Sequence, residues 1–286
     1  MTGETLAKEL QFQRIEVPNN GFMSDQPTNG FIIGTNEVIL IDPGDEPGAD
    51  IYLKALAERG NPKVKAIVLT HSHPDHAVAA ARLKRELSVP VMLNPKERPV
   101  LEQFKGLTWD GIDAELHGGM RIDVDGGELE AIDTPGHAPG HVALFERESG
   151  RLIAGDLVSG HGTVGIFPPH GKMIEYFASL RAAEALHPSV VYPGHGPTIT
   201  DPANLFQQYI ERRSLREREI VDELRNAPKT IEQIVTPLYP DVLPHFRRAA
   251  GATVLAHLIK LETENRVAHK GDDMMSAVWF LRDVEV

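Results

Sequence analysis

Three histidines and one aspartate stand together in Thr70-His71-Ser72-His73-Pro74-Asp75-His76, directly after the apolar run Val64–Leu69. Imidazole nitrogens and carboxylate oxygens are the ligands that zinc, iron and manganese bind in proteins. A polar helix N-terminus is the alternative interpretation, but histidine is a poor capping residue. The segment therefore predicts a metal site where a strand gives way to a loop.

Further ligands are expected downstream, because one short segment cannot surround a metal ion. Three segments place one potential ligand each beside a glycine and just after a short apolar run: Thr134–His137 with His137, Ala154–Asp156 with Asp156, and Tyr192–Gly196 with His195. Glycine lets the backbone turn tightly at such points. Each segment alone is weak evidence, but together with the first motif they predict one metal centre.

In this order the residues reproduce the pattern H-x-H-x-D-H, then His, Asp and His, and the chain resembles the metallo-β-lactamase-fold hydrolases. The resemblance implies two metal ions bridged by Asp156. The implied ligands of the first ion are His71, His73 and His137, and those of the second are Asp75, His76 and His195. It also implies that Asp42 orients ligands from outside the metal sphere, as outer carboxylates do. A plain Asp-Pro-Gly turn is the alternative interpretation of Asp42.

This ligand set predicts hydrolysis. A bridging carboxylate holds two ions about 3.5–4 Å apart, and metal coordination lowers the pKa of water to about 7, so a shared hydroxide is expected to attack a carbonyl or phosphorus. Asp75 is the candidate for assisting proton transfer. Two zinc ions are the expected cofactor, with iron or manganese as alternatives. His161 and His170 are candidates for the substrate pocket, and ordinary loop histidines are their alternative interpretation.

Alternating strand and helix patterns fill residues 1–200, which predicts a mixed α/β catalytic domain. The resemblance implies that it is a four-layer αββα sandwich. Predicted strands are Phe31–Ile33, Val38–Ile41, Val64–Leu69, Val89–Leu93, Arg121–Val124, Glu128–Ile132, Val142–Phe145 and Leu152–Ala154. Predicted helices are Asp50–Arg59 and Ala77–Leu87.

Residues 201–286 predict a linker helix and a small helical domain. Asp201-Pro202 is expected to open a helix that runs to about Arg225, with aspartate as cap and proline at the first turn. Thr230–Gln233 has the form of a capping box, and a second helix is expected from about His245 to Glu264. Val267 and Val278–Leu281 then predict a β-wing. This arrangement resembles the winged-helix tail of the lactamase-β-like branch, which includes a mitochondrial single-strand endoribonuclease.

The charge of the chain argues against tight, general RNA binding. The net charge is −12, and residues from Pro202 onward carry twelve basic and thirteen acidic side chains, which leaves 17 basic and 28 acidic before them. Proteins bind nucleic acid by neutralising phosphates with basic surface. The α-helical arginines Arg212, Arg213, Arg216 and Arg218 alternate with glutamates, which predicts a solvated helix with internal ion pairs. Arg247-Arg248 is the better candidate for an anion contact.

The leading prediction is therefore a hydrolase of a small or carrier-bound ester, thioester or lactone. A single-strand endoribonuclease is the first alternative, with RNA as partner; a mononuclear-iron dioxygenase and a non-enzymatic, metal-stabilised binding module are the others. The chain has no cysteine, and Met1–Leu10 contains no apolar run that would form an export signal. A cytoplasmic protein without a membrane partner is expected. Winged-helix surfaces often pair two chains, so a homodimer is also expected.

Overall fold

The computed structural model describes residues 10–19, 26–104 and 107–282. The prediction for Met1–Leu10 therefore lies, apart from Leu10, outside the described residues. The chain divides into two compact units. The first comprises Met1–Thr134, Gly140–Thr163 and Leu186–Ala203, and the second comprises Pro135–Pro139, Val164–Ala185 and Asn204–Val286.

The first unit contains two sheets. In spatial order, the strands of the six-stranded sheet are β1 (Phe12–Val17), β2 (Thr28–Gly34), β3 (Glu37–Ile41), β4 (Lys63–Val68), β5 (Val91–Leu93) and β6 (Ala114–Glu115). Neighbours from β1 to β3 are antiparallel, and neighbours from β3 to β6 are parallel. The predicted hairpin β2–β3 and the predicted strands β4 and β5 are confirmed within three residues at each end. The sequence pattern did not reveal β1 or the two-residue β6.

The second sheet has five strands. They are β7 (Arg121–Val124), β8 (Gly127–Asp133), β9 (Val142–Glu146), β10 (Arg151–Gly155) and β11 (Val190–Pro193), in the spatial order β11-β10-β9-β8-β7. Strands β7 to β10 are antiparallel neighbours, whereas β11 runs parallel to β10. The four strands predicted in this region are confirmed.

The two faces of the first sheet are both buried. On β2, Phe31 and Ile33 pack between the sheets with Leu144 of β9, whereas Ile32 faces the opposite side. This alternation follows from the two-residue period of a strand. On that opposite side lie α1 (Gly48–Glu58) and α2 (Pro74–Leu87). The mixed α/β class is confirmed, with one helical layer and two sheet layers inside this unit.

Helix α2 begins three residues earlier than predicted. Pro74 is at its first turn and His73 precedes it, without a side-chain hydrogen bond to the helix end. Proline suits this position because its fixed φ is helical and its missing N–H would be unpaired there. The metal-ligand motif therefore does run into a helix N-terminus, although His73 does not cap it. A four-residue helix, α3 (Arg98–Leu101), follows later in this unit.

The second unit is helical with a small sheet. Its helices are α4 (Met173–Glu184), α5 (Leu205–Leu224), α6 (Ile231–Leu238) and α7 (Arg247–Thr263). Its sheet has the order β12 (Lys229–Thr230), β14 (Val278–Leu281) and β13 (Val267–Lys270). Ile220, Ile234, Val254 and Trp279 belong to one buried core. The predicted helices and wing are thus confirmed.

The capping box of α6 is also confirmed. The Thr230 hydroxyl accepts a hydrogen bond from the backbone N–H of Gln233, and the Gln233 side chain accepts one from the backbone N–H of Thr230. The predicted cap of α5 is wrong. That helix begins at Leu205, after Asn204, and not at the Asp201-Pro202 pair.

The interpretation of the α5 arginines as solvated is wrong for two of them. Arg213 is buried, and the guanidinium of Arg216 lies over the ring of Tyr239 while its Nη1 donates to the carbonyl of Leu238. The cause is the helical period, because positions three and four apart share one face with the buried Ile220. Long basic side chains can bury their stems along such a face.

Glu217 of α5 holds three basic side chains of the second unit. Lys260 Nζ lies 2.8 Å from one carboxylate oxygen and Arg266 Nη1 lies 2.9 Å from the other, and the buried ring of His257 is 3.8 Å away. Burial alone would raise the pKa of Glu217, but His257 and Lys260 outweigh it and hold the pKa at about 2. Burial lowers the pKa of His257 below its ordinary value.

We expect the second unit to lose stability in acid through these two groups. The depressed pKa of Glu217 stabilises the folded state above pH 4.5, and this stability is lost as the pH falls towards 2. The unfolded chain also protonates His257 first, so its contribution is lost below its ordinary pKa of 6.5. Glu217→Gln should lower the free energy of unfolding at pH 7 by roughly 1–2 kcal/mol, a value reduced by solvent screening.

Urea unfolding between pH 3 and 8 checks this expectation. The matched control is Glu211→Gln, an exposed position on the same helix. Equal dependence of unfolding free energy on pH in both variants would contradict the assignment.

No helix within the described ranges is both long and apolar enough to cross a membrane.

Candidate metal centre

Four strand ends of the first unit deliver the polar side chains of the centre. Asp42 follows β3, His71 follows β4 after Leu69 and Thr70, Asp156 follows β10, and His195 follows β11 after Gly194. Strands β3 and β4 are parallel, as are β10 and β11, so within each pair the carboxyl ends lie at the same sheet edge. Residues distant in sequence are thereby brought together.

Two carboxylates and two imidazoles form the centre of this cluster. His195 Nε2 lies 3.3 Å from Asp75 Oδ2 and 3.6 Å from Asp156 Oδ1. His76 Nε2 lies 3.5 Å from Asp156 Oδ1 and 4.0 Å from Asp75 Oδ2. The arrangement offers nitrogen and oxygen ligands at the spacing of a metal site.

His71 and His73 extend the cluster. His71 offers a ligand atom within 4.8 Å of those of His76 and Asp156. Its Nε2 lies 3.0 Å from His73 Nδ1, and the two rings meet edge to face. Six of the seven predicted ligands therefore lie together within the first unit.

Asp42 fixes the orientation of two of these rings. Its Oδ2 accepts hydrogen bonds from His76 Nδ1 at 2.9 Å and from the Thr70 hydroxyl at 2.7 Å. Because the Thr70 hydrogen points to Asp42, its oxygen accepts the N–H of His71 Nδ1, 3.0 Å away. Both rings thus carry their proton on Nδ1 and turn the Nε2 lone pair towards the cluster, the arrangement of metal-binding histidines.

His195 is held in the same tautomer by a backbone carbonyl. Its Nδ1 donates to the carbonyl of Pro27 at 3.0 Å. The side-chain amide of Asn29 donates to the carbonyls of Pro193 and Gly196 on either side. The loop after β11 is therefore fixed at three points, and His195 Nε2 is free to bind a metal.

The described residues fit a divalent cation. His76 Nε2 is buried and has no hydrogen-bond partner among them, while the buried carboxylate of Asp75 and the partly buried carboxylate of Asp156 lie 4.0 and 3.5 Å away. A buried polar atom without a partner costs about 1–3 kcal/mol, which a bound cation would offset. Nitrogen and carboxylate donors without thiolates suit zinc, iron or manganese.

The electrostatics of the centre agree with that fit. Burial alone would lower the pKa of His76 and of His195, but Asp156 and Asp75 raise the pKa of both rings, for His76 well above its ordinary value. Burial alone would raise the pKa of Asp75, yet His76 and His195 hold it below its ordinary value. The carboxylates thus make a buried site that favours cations.

Two glycines give the cluster its space. A Cβ on Gly194 would lie 2.4 Å from Asp156 Oδ1 and 2.9 Å from His76 Cε1. Gly155 has a φ of +48° and its Cβ would lie 2.8 Å from the Thr70 hydroxyl. The sequence indicated glycines for turning; the structure shows that Gly194 is needed for close approach to the ligands.

His141 is a positioning residue that the sequence analysis missed. It is buried, its Nε2 accepts the backbone N–H of Asp156 at 3.0 Å, and its Nδ1 therefore donates to the Thr134 hydroxyl at 2.8 Å. A signal existed in the sequence, because Gly140-His141 repeats the Gly136-His137 pair.

Glu97 was also missed, and no local signal marks it. Its buried carboxylate accepts hydrogen bonds from the backbone N–H and the hydroxyl of Ser72, at 2.9 and 2.7 Å. Its other oxygen accepts from the N–H of Gly140 at 2.6 Å. Glu97 thereby ties the loop that carries His71 and His73 to the loop that carries His141.

Three further predicted residues remain, and each is described within its own unit. His137 belongs to the second unit, where its Nδ1 donates to the carbonyl of Gly165 at 2.7 Å. His161 is exposed in the first unit, with its ring close to Gly196 beside His195. His170 is half-buried in the second unit. The assignments of His137 as a ligand and of His161 and His170 to a substrate pocket stay predictions.

We expect Asp42→Asn to weaken metal binding by roughly 10–100-fold, as loss of an outer carboxylate does elsewhere. Asparagine tolerates the left-handed φ of +44° at this position, but its amide nitrogen cannot accept the hydrogen bonds that Asp42 receives. A chelator competition titration measures the affinity, with the exposed Asp50→Asn as control. Equal affinities for the two variants would show that Asp42 only forms the turn.

Two family patterns match the chain. The Metallo-beta-lactamase superfamily pattern matches residues 24–195, and the Beta-lactamase associated winged helix domain matches residues 230–279. A "Beta-lactamase-like protein 2 homolog" of Caenorhabditis elegans is 32% identical over 87% of this chain and 83% of that protein. The "Atrochrysone carboxyl ACP thioesterase" of Aspergillus fumigatus is 32% identical over 73% of this chain and 63% of that protein.

Solved structures of the same superfamily are also similar to this chain. A metallo-beta-lactamase family protein from Thermus thermophilus is 25% identical with a TM-score of 0.77, over 95% of this chain and 98% of that chain. TTHA1623, solved in a di-iron-bound form, is 33% identical with a TM-score of 0.54, over 67% of this chain and 96% of that chain. The ligand cluster, the two sheets and these matches lead to one conclusion: the chain belongs to the metallo-beta-lactamase superfamily.

Proposed function

We propose that this chain is a metal-dependent hydrolase of carrier-bound or small-molecule thioesters, with esters and lactones as chemically related substrates. The observation that carries the proposal is the largely buried cluster of four histidines and two aspartates in the first unit, with His76 Nε2 left without a hydrogen-bond partner among the described residues. A purely structural zinc site closes its coordination with four protein ligands, whereas this larger set leaves room for water.

Two metal ions are proposed. His71 and His73, with His137, would hold one; Asp75, His76 and His195 would hold the other; Asp156 would join them. The di-iron form of TTHA1623, 33% identical to this chain, supports a two-ion site in a related fold. Zinc is the proposed metal, with iron and manganese as alternatives of the same ligand preference.

Bound ions would supply Lewis acidity and ionise water near neutral pH. The chain's own residues orient and hold protons. Asp75, which as an aspartate is a carboxylate at neutral pH, accepts the proton of the attacking water. Water oxygen adds to the thioester carbonyl, the carbon–sulfur bond breaks, and Asp75 returns the proton to the leaving thiolate. Asp42 and His141 keep the ligands in place throughout.

We place thioesters before other carbonyl substrates because two relatives are named thioesterases. Besides the acyl-carrier thioesterase described above, "Thioesterase pkgB" of Emericella nidulans is 32% identical over 71% of this chain and 55% of that protein. The surface of α5 supports the same choice over RNA, because Arg213 is buried and Arg216 and Arg225 lie 3.1 Å from Glu219 and Asp222. These arginines offer no continuous basic path for phosphates.

Hydrolysis by metal-quantified protein tests the proposal. The panel contains an acyl-carrier thioester, acyl-CoA, S-lactoylglutathione, an ester, a lactone and a labelled single-stranded RNA, each with and without chelator. Chelator-sensitive thioester turnover is the expected result. Cleavage of RNA alone would replace the proposal with a nuclease, and absence of turnover on every substrate with metal bound would overturn it for these substrate classes.

A further inference from the structure

We propose that Arg213 of α5 is a positioning residue for His137, acting through the backbone of Val164 and Gly165. The inference rests on the proposed role of His137 as a metal ligand. It adds a residue from outside the ligand motifs, on the helix that leads into the winged-helix region, to the parts that determine metal binding.

Arg213 is held between a ring and a carbonyl. Its guanidinium carbon lies 5.5 Å from the ring centre of Tyr176, and its Nη2 donates to the carbonyl of Val164. Only 6% of the residue is exposed. The position of the Nη2 group is therefore fixed by packing, and with it the direction of the Val164 carbonyl.

The next carbonyl along the chain holds His137. Gly165 oxygen accepts the N–H of His137 Nδ1 at 2.7 Å. This bond keeps the proton on Nδ1, so Nε2 is the ring nitrogen that would bind a metal, as in the other histidines proposed as ligands. Only the two backbone torsions of Gly165 separate the carbonyl that Arg213 holds from the carbonyl that holds His137.

Glycine at position 165 makes an external anchor necessary. Without a side chain, Gly165 has wide conformational freedom. A Cβ there would lie 2.4 Å from Phe167 Cζ, so the Phe167 ring occupies the place of a side chain. The hydrogen bond from Arg213 to the preceding carbonyl restricts this flexible point, and the orientation of His137 depends on it.

Stability alone does not account for a charged group at position 213. Burying a guanidinium is unfavourable unless a carboxylate pairs with it, and none of the described carboxylates forms an ion pair with Arg213. Its Nε has no hydrogen-bond partner among the described residues either. An apolar side chain would fill this position at lower cost, so the arginine is explained by the carbonyl that it holds.

Three variants test the inference: Arg213→Met, Arg213→Lys and, as control, Arg212→Met at an exposed position on the same helix. Nitrogen-15 NMR of the metal-free proteins at about pH 8.5, where an ordinary imidazole is neutral, reports the tautomer of His137, assigned with a His137→Ala variant. Chelator competition gives the zinc affinity, and thermal unfolding confirms that each variant is folded.

Arg213→Met should shift the His137 ring to a mixture of tautomers and weaken zinc binding by roughly 10-fold, with Arg212→Met unchanged. Arg213→Lys should give a smaller loss of at least threefold, because lysine ends one bond short of the Nη2 position. A folded Arg213→Met with the wild-type tautomer and an affinity within twofold would overturn the inference. If that variant does not fold, wild-type values for Arg213→Lys would overturn it.

The His137→Ala variant separates failure of this inference from failure of the proposed function. Unchanged zinc affinity in His137→Ala would remove His137 from the metal site, and the inference with it. Lower affinity in His137→Ala with a wild-type tautomer in Arg213→Met would overturn only the role of Arg213.

Discussion

Replacing Asp75 by asparagine should lower thioester turnover by roughly 10²–10⁴-fold, the contribution expected of a group that transfers protons in the transition state. The side chain keeps its size, and the Asp75 backbone carbonyl still accepts the Thr28 hydroxyl at 2.8 Å. What is lost is the negative charge 3.3 Å from His195 Nε2. An amide can neither accept the proton of water nor bind a cation as a carboxylate does.

Turnover is measured at saturating metal, and metal content is determined on the same samples. Asp110→Asn, an exposed position in the same unit, is the control and should behave as wild type. Retention of more than a tenth of wild-type turnover by a folded, fully metallated Asp75→Asn protein would remove Asp75 from proton transfer. Loss of metal together with turnover would instead show that ligation is its main role.

The regular elements of this fold were readable from the sequence where packing repeats a simple pattern. Strand β9 and the second half of β4 are apolar runs because both of their faces are buried. The start of α2 was predicted too late, because Asp75 and His76 are polar residues typical of a loop. Pro74, however, is well suited to a first helical turn, and the helix begins there. Residues of the predicted ligand motif therefore also form the first turn of the helix.

The residues that hold the ligands were mostly not readable. Glu97 contacts Ser72 and Gly140, which are 25 and 43 positions away, and Arg213 contacts Val164, 49 positions away. Hydrogen bonds over such separations leave no periodic pattern along the chain. Asp42 could be predicted only because the family resemblance marks it. Ligand types are set by metal chemistry, whereas their supports are set by which loops the fold brings together.

Gly194→Ala should abolish high-affinity metal binding although it replaces none of the proposed ligand residues. The added Cβ would lie 2.4 Å from Asp156 Oδ1 and 2.9 Å from His76 Cε1, distances that real Cβ atoms do not show. The loop cannot move away, because Gly194 N–H donates to the Gly155 carbonyl and the Gly194 carbonyl accepts Asn29 N–H, both at 2.7 Å. Asp156 and His76 must move instead, and a displacement of about 1 Å can cost 10²-fold in activity.

Gly251→Ala is the matched control, since its Cβ would meet Ile231 and Met275 only at 3.4 and 3.7 Å. Alanine within α7 should raise the free energy of unfolding by about 0.5–1 kcal/mol, because it favours helix more than glycine does. Zinc titration and turnover of both variants, with thermal unfolding, separate the effects. If Gly194→Ala binds zinc within threefold of wild type, the prediction is contradicted, because the loop after β11 can then accommodate a side chain despite its two hydrogen bonds. A large loss confined to Gly194→Ala would show that the absence of a side chain, as much as the ligands themselves, shapes the metal centre.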